Sequence, residues 1–273
     1  MTEGIPDITA KALEKLLSTK AIGRALLTLE STESTNLTAA ELAPVSHHGL
    51  VVVADHQTGG RGRNGRVWFS PPQRNLYFSI LLKPPCSPAI VPQLSIVAAL
   101  SMNSALLSLF PQLHVAVKWP NDIWIEDCKV CGVLCTMSAI GATTEYAVLG
   151  LGLNVNTTLD ELPPDLRNTA TSLRIASGEP CDRCCVLAAF LNTFEQDYTQ
   201  WLASGSLEPF MQRWCQASLL DGHPVTAEHG HDTIVGTACG ITPEGQLKLK
   251  TNGPITLISA GDVARLRASE ATI

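Results

Sequence analysis

The chain has 273 residues, 45% hydrophobic and 16% charged, a balance that excludes a disordered or fibrous polypeptide and allows a main domain with a second, smaller core. With 19 Lys plus Arg against 25 Asp plus Glu, the net charge of −6 excludes general attraction to a phosphate backbone, so any anion site has to be local. Nine cysteines follow an N-terminus that has no basic segment leading into an apolar one, so reduced thiols in a soluble, cytoplasmic protein are expected rather than disulfides.

Apolar residues at Ile8, Leu13, Leu16 and Leu17 predict a first helix, and 25–29 a short strand. Ser34, Thr35 and Asn36 are good cap residues ahead of Ala- and Leu-rich sequence and predict a helix start. Residues 50–54 read as a buried strand closed by the glycine-rich run 58–65, residues 76–82 as another strand, and 91–110 as the longest helix. That last stretch is interrupted by Pro92, Gln93, Ser95, Ser101, Asn103, Ser104 and Ser108, which argues against a membrane span. Strands are expected at 115–119, 130–137 and 146–155, then a long loop at 156–179 able to order over a ligand, then helices at 183–201 and 207–215. Asp221-Gly222-His223-Pro224 marks a boundary between a catalytic unit (1–218) and a C-terminal unit (219–273). Four short strands in the latter, 225–228, 233–241, 246–251 and 255–259, have the pattern of a small β-barrel.

The most informative segment is Gly59-Gly60-Arg61-Gly62-Arg63-Asn64-Gly65-Arg66-Val67-Trp68-Phe69-Ser70. Glycine lets backbone approach a ligand and arginine forks match carboxylate and phosphate oxygens. It is not a phosphate-binding P-loop, since no Gly-Lys-Ser/Thr ending or helix follows. A flexible basic surface loop is the alternative, and Trp68-Phe69 favours an ordered, packed one. A second group is Lys118-Trp119-Pro120-Asn121-Asp122, followed by Lys129-Val130-Cys131-Gly132. The first five residues could be an ordinary hairpin turn. Lys129 opens an apolar strand, where a lysine needs an anionic partner, and Gly132 leaves room beside it. Gly150-Leu151-Gly152-Leu153-Asn154-Val155-Asn156 is weak alone, since paired glycines in a strand more often signal close packing.

Taken together, Ser34-Thr35-Asn36, Gln57, the arginine-glycine run with Trp68, Lys118-Trp119-Pro120-Asn121-Asp122, Lys129 with Gly132, Gly152-Leu153-Asn154 and Ala170-Thr171-Ser172-Leu173 resemble the biotin protein ligase family in order and spacing. The resemblance implies an α+β fold: a mixed β-sheet with helices on one face, like class II synthetases and biotin/lipoate ligases, plus a small C-terminal SH3-like β-barrel. It implies ATP-dependent formation of biotinyl-5′-adenylate and transfer of biotin to a lysine of a biotin carboxyl carrier protein. Ser34, Thr35, Asn36, Gln57, Gly60, Arg61, Gly62, Arg63, Lys129 and Gly132 would contact biotin. Arg63, Arg66, Trp68, Lys118, Asn121, Asn154 and Asn156 would contact ATP or the adenylate, and Lys129, Arg61 and Asp122 would act in catalysis. Magnesium would arrive with ATP, near Asp122, with no protein cage of its own. Repressor members carry a DNA-binding domain of some 60 residues ahead of the Ser-Thr-Asn motif, and 33 residues precede Ser34 here. A ligase without a nucleic-acid or membrane partner, monomeric or homodimeric, is therefore expected.

Cys128/Cys131 and Cys181/Cys184 invite a zinc reading, but their separation of about fifty residues is long for a zinc ribbon, and packing thiols are expected. His229 and His231 are expected in an exposed turn, and His56 as a packing residue at a strand end. Lipoate ligases share the adenylation step but carry a different arginine and triple-glycine motif, which is absent here.

Overall fold

The computed structural model describes residues 8–229, 232–259, 261 and 263–265. In chain order the elements are α1 (Ala10–Glu14), β1 (Leu26–Thr32), α2 (Thr35–Leu42), β2 (Val51–Gln57), β3 (Leu76–Leu82), α3 (Leu94–Leu109), β4 (Val115–Lys118), β5 (Asp122–Ile125), β6 (Cys128–Ile140) and β7 (Thr143–Leu153). There follow α4 (Leu173–Ser177), α5 (Arg183–Ser204), α6 (Met211–Ala217), β8 (Pro224–His229), β9 (Asp232–Ile241), β10 (Leu247–Lys250), β11 (Ile255–Ile258) and β12 (Val263–Arg265).

Seven strands form a mixed sheet in the order β1-β2-β3-β7-β6-β5-β4, with β1 parallel to β2 and the other neighbours antiparallel. Strand alternation sorts the side chains between two faces. Val51, Val53, Phe78, Ile80, Leu149 and Leu151 join the main core with the buried residues of α3 and α5, while Val52, Leu81 and Val148 meet Ala39 and Ala43 of α2 behind the sheet. The two long helices thus share one face as expected, and short α2 takes part of the other.

Residues 88–109, a 3₁₀ turn running into α3, are long and apolar enough to cross a membrane by length and composition, despite the interruptions noted in the sequence. Their packing identifies a core helix. Its polar residues are tie points: Ser101 donates to Asp197 (2.7 Å), Asn103 to the Val115 carbonyl (2.7 Å), and Ser104 accepts from Arg213 (2.9 Å). Asp182 caps α5 by accepting from the backbone of Cys184 and Cys185, and Gly205 ends it in the left-handed conformation that glycine tolerates. The Phe190–Phe194–Tyr198–Trp201 row on its buried face supplies aromatic packing.

The remaining five strands form an antiparallel sheet ordered β11-β10-β9-β8-β12. Its inward residues Val225, Ala227, Leu247 and Leu249 belong to the same contiguous core as the large sheet. Trp119 donates to the Gly245 carbonyl (2.9 Å) and fastens the two sheets together.

Several boundaries differ from expectation. The segment 118–122, which could be read as an ordinary hairpin turn, does form one: Trp119, Pro120 and Asn121 turn between β4 and the short strand β5, and it is β5, paired with β4 and β6, that the sequence did not announce. The β6–β7 pair is a long hairpin of 13 and 11 residues, and the 156–179 loop contains α4. His56 is held at a strand end against the Ser70 carbonyl (2.7 Å). Of the histidines placed in the barrel turn, His231 and the His229 side chain lie outside the described residues.

Candidate active site

A cavity of about 590 Å³ opens on one end of the large sheet, roofed by the arginine-glycine loop and bordered by Thr226, Glu228 and Ala264 of the small sheet. Its floor comes from adjacent strands β6 and β7, where Gly132 stands opposite Gly152 and Leu134 opposite Gly150. Of the residues singled out in the sequence, Ser34, Thr35, Asn36, Gln57, Arg61, Gly62, Arg63, Arg66, Trp68, Lys118, Asn121, Asp122, Lys129, Gly132 and Asn154 all line it. Two do not. Gly60 is held under the loop, its carbonyl accepting from Trp68 N and the place of a Cβ taken by Ser70 Oγ at 2.7 Å, so its missing side chain lets residues 68–70 pass close beside it. Asn156 is fully buried and bonded both ways with Cys181, accepting from its N–H and donating to its carbonyl, which makes it a packing residue of the β7–α5 connection.

At one end of the cavity the first turn of α2 carries a polar cluster. Gln57 Oε1 accepts from Thr35 N (2.9 Å) and Thr35 Oγ1 (3.2 Å), while Gln57 Nε2 donates to Ser70 Oγ (3.3 Å). Asn36 Nδ2 donates to the Leu134 carbonyl (3.3 Å), so its amide lies across β6 and β7. Beneath sits Ser79, fully buried on β3, within hydrogen-bond reach of Thr35 Oγ1 (2.7 Å) and Asn36 Oδ1 (2.5 Å). Sequence reasoning missed Ser79 because a lone serine in an apolar strand carries no signal. The close packing that the glycine pair in β7 suggested is present at Gly150, where a Cβ would sit 1.8 Å from Asn36 Oδ1.

The other end is cationic. Lys129 Nζ lies 2.7 Å from Asp122 Oδ1, and both side chains keep partial exposure to the cavity at 31% and 23%. The ammonium is also 5.3 Å from the centre of the Trp68 ring. Trp68 reaches that position by lying flat over Gly132 and Gly152, where a Cβ would come within 3.1 Å and 2.5 Å of the indole. Lys118 stands over the ring of Trp124 at 4.7 Å. The indole N–H groups of Trp68 and Trp124 are buried without a hydrogen-bond partner among the described residues, a cost of about 1–3 kcal/mol each.

The roof is fastened at two points. Arg63 donates to Asn121 Oδ1 (3.2 Å) across the cavity, and Arg61 pairs with Glu33 Oε1 (3.1 Å) beside α2. Leu162, Leu166, Thr169 and Ala170, from the long loop after β7, close a further side. The Cys128 thiol is within reach of the Asn168 carbonyl, Cys131 is buried in the core, and Cys181 and Cys184 are buried beside α5. Among the described residues no three His, Cys, Asp or Glu side chains gather closely enough to hold a metal ion.

An acyl-activating site needs a pocket for a neutral headgroup at one end and fixed cations at the other, and this cavity has both. The Biotin/lipoate A/B protein ligase family matches residues 28–154, the span of all seven strands of the large sheet save the ends, and defines the class as biotin and lipoate ligases. Residues 222–266 match the Biotin protein ligase C terminal domain. The biotin--[acetyl-CoA-carboxylase] ligase of Mycobacterium tuberculosis is 31% identical over 96% of this chain and 97% of its own length. The bifunctional ligase/repressor BirA of Bacillus subtilis is 35% identical over 90% of this chain and 76% of its own. A solved structure of the Aquifex aeolicus biotin protein ligase, in complex with biotin and ATP, superposes with a TM-score of 0.76 at 30% identity, covering 90% of this chain and all of that one. The chain belongs to the biotin protein ligase family.

Proposed function

We propose that the protein is an ATP-dependent biotin protein ligase that forms biotinyl-5′-adenylate and passes the biotinyl group to a lysine of a biotin carboxyl carrier protein. The observation that carries this reading is the single cavity that joins the Thr35–Asn36–Gln57–Ser79 cluster to Lys129 beneath a lid bearing Arg61 and Arg63. The polar cluster suits a flat headgroup rich in N–H and C=O. The cationic end suits a carboxylate brought against the α-phosphate.

In the first step a carboxylate oxygen forms a bond to the α-phosphorus and pyrophosphate leaves. Two anions approach each other, so fixed cations lower the barrier in both encounter and transition state. Lys129, already oriented by Asp122 and Trp68, is the candidate for the oxygens around phosphorus, with Arg61 and Arg63 above. In the second step the carrier amine bonds to the acyl carbon, AMP leaves and the amine's proton passes to solvent. The lid keeps water from the mixed anhydride meanwhile. Asn121 Oδ1 is already taken by Arg63, but Asp122 lines the cavity with a second carboxylate oxygen beyond the one paired to Lys129, an oxygen donor of the kind a hard divalent cation takes, so Asp122 is the residue that would receive magnesium carried by ATP. When bound, that ion neutralises charge on the leaving pyrophosphate.

The reading extends to a cytoplasmic location, supported by nine free cysteines. It also extends to an absence of nucleic-acid binding, supported by the net charge of −6. Oligomeric state, monomer or homodimer, is for sedimentation to decide. The test of function is carrier labelling. With ATP, magnesium, biotin and the carrier domain of acetyl-CoA carboxylase, the carrier becomes biotinylated, and lipoate with a lipoyl domain in parallel gives little product. No biotin transfer, or preferential lipoate transfer, overturns the proposal.

A further inference from the structure

We propose that Glu228 receives the amine of the carrier in the second step, drawing a lysine ammonium to a cavity whose other charges repel it. This role deepens the ligase reading and rests on it. Among the described residues that line the cavity, Arg61, Arg63, Arg66, Lys118 and Lys129 are cationic, and Asp122 and Glu228 are the carboxylates. The cations suit the carboxylate of biotin and the phosphates of ATP. The carrier's lysine arrives with the opposite charge, after pyrophosphate has carried off much of the negative charge those cations were balancing.

Asp122 is poorly placed to meet it. Its Oδ1 lies 2.7 Å from Lys129 Nζ, so an ammonium brought there would stand beside another. Glu228 is on β8, where Val225 and Ala227 are buried in the core. Strand alternation turns Thr226 and Glu228 to the opposite face, which borders the cavity with Thr233, paired across from Glu228, and Ala264, paired across from Thr226. The Glu228 side chain is exposed and has no hydrogen-bond or ion-pair partner among the described residues. Its three neighbours on this face carry no charge to compete for an incoming cation.

Glu228 supplies encounter and not proton removal. An ion pair stabilises the ammonium, so the amine has to leave the carboxylate to become a nucleophile. The C–N bond then forms as the bond from acyl carbon to the AMP oxygen breaks, and the former ammonium has given two protons to solvent in all. The effect therefore falls on KM for the carrier, with the rate at saturating carrier held.

The experiment uses the full chain, incubated with biotin, ATP, magnesium and pyrophosphatase until biotinyl-adenylate has accumulated, so that consumption of a measured amount of adenylate reads the second step alone. The acceptors are the carrier domain of acetyl-CoA carboxylase, n-propylamine, which is a cation near neutral pH, and hydroxylamine, which is largely neutral there. Glu228→Gln should raise KM for the carrier and lower the second-order rate constant with propylamine by about three- to fivefold, the upper range for loss of an exposed ion pair, and should match wild type with hydroxylamine. Glu228→Asp, which keeps the charge, should stay within about twofold of wild type. Salt at about 0.5 M should slow wild type towards the Glu228→Gln rate with both cationic acceptors. Glu30→Gln, which removes an equal charge from an exposed site on β1, should behave as wild type. Equal rates for wild type and Glu228→Gln with propylamine, or an equal loss with hydroxylamine, overturn the amine role. A loss confined to the carrier overturns it as well and makes Glu228 a contact of the carrier's surface. A wild type that forms no biotinyl-adenylate refutes the ligase reading itself and takes this role with it, a result distinct from an adenylate that forms and is consumed alike by both proteins.

Discussion

Gly150→Ala is the sharpest test of the headgroup pocket, because its effect can be worked from distances. The new methyl would lie 1.8 Å from Asn36 Oδ1, 2.6 Å from Cγ and 2.9 Å from Nδ2. To regain van der Waals contact near 3.5 Å, the amide has to retreat by about 1.7 Å, and β7, paired on both sides, will not give way in its place. The retreat breaks the Asn36 contacts with Leu134 O and Ser79. Two neutral hydrogen bonds at about 1 kcal/mol each amount to about 2 kcal/mol, or roughly a 30-fold rise in KM for biotin. On the proposed reading ATP occupies the cationic end of the cavity, so KM for ATP should stay within about twofold. Gly132→Ala is the internal control: its methyl would meet only the movable end of Lys129, at 3.3 Å, and the rim of Trp68, at 3.1 Å, and a change of a few-fold is expected. Biotin-dependent pyrophosphate exchange with each substrate varied in turn measures all of these. Wild-type KM for biotin in Gly150→Ala, or equal losses for both substrates, would refute the placement of Asn36 over the biotin headgroup.

Lys129→Met should lower pyrophosphate exchange by about 10²- to 10³-fold, the scale for removing one preorganised electrostatic contact, with Tm nearly unchanged; normal exchange contradicts its role. Asp197→Ala strips Arg213 and Ser101 of a shared partner and should cost about 2 kcal/mol and lower Tm by about 5 °C in a thermal melt. Burial works to raise the Glu195 pKa, yet its carboxylate accepts from Ile22, Ala21 and Lys20 N–H, which together hold it below the usual glutamate value of 4.5. Its stabilisation is therefore full above pH 4.5 and lost as pH falls through the lower folded value, so the stability advantage over Glu195→Gln should vanish in acid; an undiminished advantage there refutes it. Burial pushes the Cys135 thiol up to about 12 and the Cys131 thiol higher still, while Cys215 and Cys239 are exposed. Iodoacetamide at neutral pH should label the exposed pair and spare the buried one, as read by peptide mass mapping.

What could be read from the sequence was whatever local chemistry dictates. The helix expected to start at Ser34 is α2, although Ser34 makes no side-chain cap hydrogen bond there; the apolar run at 76–82 is β3, and the arginine-glycine segment forms the roof. Positions set by partners distant in sequence were not legible. Ser79 reaches Asn36 across 43 residues, and Glu33 reaches Arg61 across 28. Asn156 shows the reverse error. An amide at the end of a strand suggested a ligand contact, but Asn156 is fully buried away from the cavity lining and turned onto the backbone N–H and carbonyl of Cys181. Gly60 lies outside the cavity lining for a related reason: its missing side chain makes room for Ser70 and Trp68 of the loop itself.

The pairing of Lys129 with Asp122 carries a consequence for how an acidic protein handles two anionic substrates. Asp122 keeps the ammonium in place while the cavity holds no anion, yet both groups remain partly open to it, so an arriving carboxylate or phosphate can share the cation without expelling its partner. Trp68, under the same ammonium, adds attraction from its ring face with no opposing charge. That ring lies where it does because Gly132 and Gly152 leave no side chain beneath it. The chemistry asks for no nucleophile from the protein, only for charges fixed where phosphorus becomes crowded, and fixing them is a packing problem. Hence the floor of bare strand, the tryptophan laid on it and the lysine above form one unit, packed most tightly at Gly152, where an added Cβ would fall 2.5 Å from the indole.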